Sequence, residues 1–104
     1  MSRDDRAAAL EKMQSLGWQD DQRFAHDRAR FLAERSRGDE AIRWDLEQRG
    51  LPRDHIDAAL AGLVPEPERA AGLSDRLGGG PRAARALAAK GFSADSIEAA
   101  VTLE

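Results

Sequence analysis

Cysteine is absent from the 104 residues, which removes disulfides, thiolate metal sites and a cysteine nucleophile at once. Long apolar runs are absent too. No stretch approaches the roughly 20 residues that a helix needs to cross a bilayer, and the opening MSRDDRAAAL lacks the apolar core of a signal peptide. A soluble, cytoplasmic protein is the expectation. Strand signals are missing: valine occurs only at Val64 and Val101, and no alternating β-branched run exists. An all-α chain is expected. Charge of one sign is also scarce, with a net charge of −3 made of −2 over residues 1–22, +2 over 23–53 and −3 over 54–104. A protein that lives by non-specific phosphate binding carries a far larger excess of Lys and Arg, so nucleic acid as sole partner is disfavoured.

What the chain does have is alanine and charge. Twenty residues are alanine and 34% are charged. Alanine favours helix because it loses no side-chain entropy there, yet it offers little surface to bury. Closely packed helices of modest stability follow, in one domain or a few small stacked units. Ser2 and Asp5 begin a helix over about 3–16, with Leu10, Met13 and Leu16 as its stripe and Gly17 as its end. Asp20 or Asp21 caps a second, over about 21–37, in which Phe24, Phe31 and Leu32 recur at helical spacing until Gly38 closes it. A third, about 39–49, turns Ile42 and Leu46 inward and stops at Gly50, a residue suited to the left-handed position after a helix. Pro52 opens a fourth that runs to Gly62, and VPEPE at 64–68 reads as a linker because its prolines cannot continue a helix. Beyond it come a helix with Leu73 and Leu77, the glycines 78–80, a helix from Pro81 to Lys90, Gly91, and a last helix capped by Ser93.

Part of this succession is stated twice. LEQRGLPRDHIDAAL at 46–60 and LAAKGFSADSIEAAV at 87–101 are identical at Leu46/Leu87, Gly50/Gly91, Asp54/Asp95, Ile56/Ile97, Ala58/Ala99 and Ala59/Ala100. Arg49/Lys90, Leu51/Phe92, Asp57/Glu98 and Leu60/Val101 agree in type, and the register extends upstream through Leu32/Leu73, Arg35/Arg76 and Gly38/Gly79. Tandem three-helix repeats forming a small curved helical array are expected, with a lone helix over 1–19, one repeat over 20–63 and a shorter one over 64–104.

GWQDDQRFA at 17–25, GDEAIRWDLEQRGL at 38–51, the following AAL, and ALAAKGFSADSIEAAV at 86–101 together resemble the RecX family of recombination regulators, over about residues 10–101. The resemblance implies tandem three-helix repeats that bind the groove of a RecA recombinase filament on single-stranded DNA. It implies limited filament growth, and so restrained strand exchange and SOS response, with no enzymatic chemistry and no cofactor. On that likeness the lone N-terminal helix is the remnant of a first repeat.

Candidate contact residues come from the first repeat. Arg23, Arg30 and Arg37 alternate with Asp27 and Glu34 along one helix face, either as a surface for an acidic groove or phosphates or as a solvated salt-bridge ladder. Arg43, Arg49 and Arg53 have fewer acidic partners at helical spacing and are better candidates for RecA or DNA, with a solvated face as the equal alternative. Trp44 lies about 200° from Ile42 and about 160° from Leu46 at 100° per residue, so it points away from the core. It is either a contact anchor and stacking platform or packed on the neighbouring repeat. Function is expected where the copies disagree, at Trp44 against Arg85 and Arg43 against Ala84.

Other chemistries find no support. The pair His26 and Asp27 lacks convergent ligands, the glycines 78–80 are followed by no Lys and Ser/Thr, and Asp20, Asp21 and Asp27 are too few for a calcium loop. No nucleophile, base and orienting group stand together. Two alternatives to a RecX-like regulator remain, a ubiquitin-associated-type three-helix module suggested by KGFSADSIEAAV and a helix-turn-helix DNA reader.

Overall fold

The computed structural model describes residues 20–102, and the expected helix over 3–16, Gly17 and Trp18 lie outside them. Six helices and no strand occur among the described residues. Helix α1 occupies 20–34, followed by α2 (Asp39–Gln48), α3 (Arg53–Ala61), α4 (Glu66–Leu77), α5 (Gly80–Ala89) and α6 (Ala94–Thr102).

Two small cores result. Ala25, Ala29 and Leu32 of α1 meet Ile42 and Leu46 of α2 and Ile56 and Ala59 of α3, while Ala70, Leu73, Leu87, Phe92 and Ala100 join α4 to α6. Phe24 and Phe31, expected on the buried stripe, are instead 42% and 40% exposed. Alanines at i and i+4 let neighbouring helices approach closely, and the adjacent large rings are left at the boundary.

The repeated sentence folds as a repeated turn. Gly50 and Gly91 both adopt positive φ, +77° and +90°. In each turn the residue after glycine donates to the same leucine carbonyl, Leu51 N–H to Leu46 O (3.3 Å) and Phe92 N–H to Leu87 O (3.1 Å). Gly50 and Gly91 close the inner bond, to Glu47 O and Ala88 O, which completes a Schellman motif in both copies.

Gly38 does not close α1. The helix ends at 34, and Ser36 takes the left-handed position at φ 66°, with Arg37 N–H on Leu32 O and Ser36 N–H on Ala33 O. Gly38 is the N-cap of α2 in extended conformation, and a Cβ there would lie 2.3 Å from the carbonyl oxygen of Gly91. Glycine is required by backbone approach, not by φ. In the second group Gly78 takes the left-handed position and Gly79 follows directly as N-cap of α5, so that joint is one residue shorter. The linker is shorter than expected as well, because α4 already begins at Glu66 with Pro67 in its first turn, where no helical hydrogen bond is lost.

The first turn of a helix leaves N–H groups without intrahelical partners, and α2 has no side-chain cap of its own. The second group supplies one. Gly38 N–H donates to Lys90 O (2.9 Å), Glu40 N–H to Gly91 O (3.2 Å), and Asp39 N–H to the Glu66 carboxylate (2.7 Å). The other oxygen of Glu66 accepts from Ser93 N–H (3.1 Å) and from the hydroxyls of Ser93 (2.6 Å) and Ser96 (2.7 Å). One buried carboxylate thus caps α2 and α6 together. Burial pushes its pKa up, but the serine hydroxyls and the two backbone N–H groups outweigh this and hold it below the ordinary carboxylate range. Arg69 completes the joint, donating to Val64 O (2.8 Å) and Arg37 O (3.0 Å), pairing with Asp39, and lying over the Phe92 ring.

Candidate functional site

The joint places the start of α2 beside the end of α5 and opens a groove of about 630 Å³ between them. Leu32, Ala41, Ala88 and Ala89 give it an apolar lining, and Arg28, Arg37, Glu40 and Asp45 supply its charged groups. Trp44 stands in its wall, 63% exposed. The helical-wheel expectation that Trp44 points away from the core is borne out.

The six arginine and tryptophan candidates do not form one cluster. Arg37 and Trp44 share this groove. Arg43 and Arg53 line a separate cavity of about 390 Å³ between α2 and α3, where Arg43 pairs with Asp57 at 2.7 Å and Arg53, with an 88% exposed side chain, reaches the same carboxylate only at 3.9 Å. Arg30 lines a third depression with Leu63 and Val64. Arg49 bonds Asp45 through Nε at 2.9 Å and lies over the Phe24 ring at 5.6 Å. Among the described residues no ion pair joins Arg23, Arg30 or Arg37 to Asp27 or Glu34, so the stripe is a set of separate surface charges.

Sequence reading missed a ridge on the neighbouring face of α1. Arg28 grips Asp45 with two parallel bonds, Nε to Oδ1 and Nη2 to Oδ2, both 3.1 Å. Its guanidinium also lies over the Phe31 ring at 5.1 Å, and that of Arg35 lies over the same ring at 4.3 Å. The hydrogen bond from Arg28 lowers the Asp45 pKa, burial opposes it, and the bond from Arg49 adds to the lowering; the net direction is down, and Arg28 is raised in turn. Phe24, Arg28 and Phe31 of α1, with Arg35 in the turn directly after it, fall within about 60° of one another at 100° per residue. That Phe/Arg alternation at i, i+4, i+7, i+11 was the available signal. Among the described residues no group of three or more His, Asp or Glu converges as a metal site.

Comparison with known proteins bears on what this face serves. Residues 20–60 match the family model described as RecX, second three-helix domain. Regulatory protein RecX of Xanthomonas campestris pv. campestris (strain B100) is 36% identical over 107 residues, covering 93% of this chain and 66% of its own length. That of Xanthomonas oryzae pv. oryzae (strain MAFF 311018) is 36% identical, covering 93% and 67%. The chain belongs to the RecX family. The RecX protein of Stenotrophomonas maltophilia (strain R551-3), 37% identical, is covered over 63% of its length, so this RecX-family chain spans about two thirds of the relatives it matches. The RecX second-domain match takes in α1, α2 and nearly all of α3, and therefore the ridge, Trp44 and every candidate arginine. No helix among the described residues is long and apolar enough to cross a membrane.

Proposed function

We propose that this RecX-family chain binds RecA filaments on single-stranded DNA in the cytoplasm and restrains their growth, and with it strand exchange and SOS induction. The observation that carries the reading is Trp44. A tryptophan 63% exposed in the wall of a preformed groove, inside the segment that matches the RecX family, has the character of an interface anchor. Arg37 lies in the same groove and is the first arginine we assign to contact. Arg53 and Arg30 are exposed and extend the surface, whereas Arg43 and Arg49 would contact a partner only with the N–H groups not already given to Asp57 and Asp45. The mechanism is steric. A double repeat seated along a filament blocks addition of the next subunit without any covalent step.

The test is titration of the chain into RecA hydrolysing ATP on single-stranded DNA. Stoichiometric inhibition is expected, and Trp44→Ala should need about tenfold more protein for the same effect, as a lost anchor of 1–2 kcal/mol dictates. ATP hydrolysis and filament length unchanged at many-fold excess of folded protein would refute the reading.

A further inference from the structure

The ridge on α1 has a chemistry that the groove alone does not. Phe24 and Phe31 are both about two-fifths exposed, and both rings carry arginine guanidinium groups over them. We infer that the ridge of Phe24, Arg28, Phe31, Arg35 and Arg49, continued by Trp44, docks a short acidic peptide segment with apolar side chains among its carboxylates. This deepens the reading of the α1–α2 face as a partner surface and rests on it.

Charge complementarity selects the occupant. Arg28 and Arg49 share one carboxylate, Asp45, Arg35 stands beside them, and Glu40 in the groove wall near Trp44 is the other acid, so the cations are in excess here in a chain whose net charge is −3. Asp45 does not cancel them so much as hold them. Its two bonds to Arg28 and one to Arg49 fix both guanidinium planes in advance, so less side-chain entropy is lost when a carboxylate arrives. Arg28 spends Nε and Nη2 on Asp45, which leaves Nη1 to donate. Arg35 has no carboxylate partner among the described residues. The two rings and Trp44 supply apolar contact at intervals between the cations.

Single-stranded nucleic acid fits less well. Bases bind such platforms by stacking on open ring faces, and the Phe31 ring is already covered by Arg28 and Arg35. A long polyanion would also meet the acidic remainder of the chain, −3 over residues 54–104, whereas a short segment is confined to the cationic ridge.

The probe is a fluorescently labelled peptide of alternating Glu and Leu, followed by anisotropy, beside its Lys/Leu counterpart and labelled oligothymidine. Saturable binding of the acidic peptide is expected, weakened about tenfold by Arg35→Glu and by added salt. Arg35→Ala should give a smaller loss in the same direction, with an unchanged helical circular dichroism spectrum in both variants. Absence of saturable binding, or equal binding by Arg35→Glu, overturns the inference. Tighter binding of oligothymidine that is lost in Arg35→Glu overturns it too, and assigns the ridge to nucleic acid. No recombinase is present, so failure here with RecA inhibition intact sinks only the peptide assignment.

Discussion

Gly50 and Gly91 occupy equivalent turns at nearly equal φ, yet substitution should separate them. A Cβ on Gly50 meets nothing within 4 Å, while one on Gly91 lies 2.5 Å from the Ala41 side chain. Gly50→Ala bears only the left-handed conformational cost of about 1–2 kcal/mol. Gly91→Ala bears that and a clash that pushes the two helical groups apart, so urea unfolding should show a loss larger by at least about 1 kcal/mol. Glu66 is the other residue whose surroundings decide its role. Every group that bonds it is a donor, so Glu66→Gln must point an amide N–H₂ at a donor and should cost about 2–3 kcal/mol. Glu66 and Asp45 both have folded pKa values below their ordinary 4.5 and 3.8. Their stabilisation is complete above those ordinary values and is lost as pH falls through the lower folded ones. Stability measured by chemical denaturation should therefore hold down to about pH 5 and decline below it, with a shallower decline in Glu66→Gln.

At the scale of the element, α1 shows how small residues reassign a helix face. Ala25, Ala29 and Leu32 face the core, and Phe24 and Phe31 stand about a third of a turn away. Leu32→Ala should cost about 2–3 kcal/mol because it opens a cavity among Ile42, Leu46 and Ile56. Phe31→Ala removes a larger side chain but one already 40% exposed, and thermal or urea unfolding should register about 1 kcal/mol or less. A reversal of that order would place Phe31 in the core. The same comparison explains why the ridge escaped sequence reading. Phenylalanine outranks alanine in every apolar pattern, and only the closeness of α2 and α3 makes alanine the residue that fits.

At the scale of the molecule, two small cores are held in register by a polar joint. Glu66 and Arg69 of α4 reach the N-terminus of α2, the α1–α2 turn and the N-terminus of α6, and Gly38 and Gly91 bring backbone to backbone. Stability in such arrays is close to a sum of repeat and interface contributions. Weakening the interface with Glu66→Gln and Arg69→Ala together should split unfolding. With Trp18 replaced by Phe, Trp44 fluorescence should report a transition at a different urea concentration from helical circular dichroism, whereas the parent chain should give coincident curves. Coincidence in the double variant would mean that the joint contributes little to cooperativity.

The amino-acid sequence by itself determined the all-α class, the tandem repetition, the left-handed turns at Gly50 and Gly91 and the outward direction of Trp44, because each follows from local spacing and from the steric limits of one backbone position. Where chains of contact run between distant residues, only the tertiary structure decided. Gly38 reads as a helix stop until Gly91 is seen 2.3 Å from its missing Cβ, Glu66 reads as a linker charge until it caps two helices, and Arg49 reads as a surface cation until the distant Phe24 ring is found beneath it. A glycine or a carboxylate has the same letter in either role. What separates the roles is the approach of groups from far along the chain, and that approach is a property of the packed molecule.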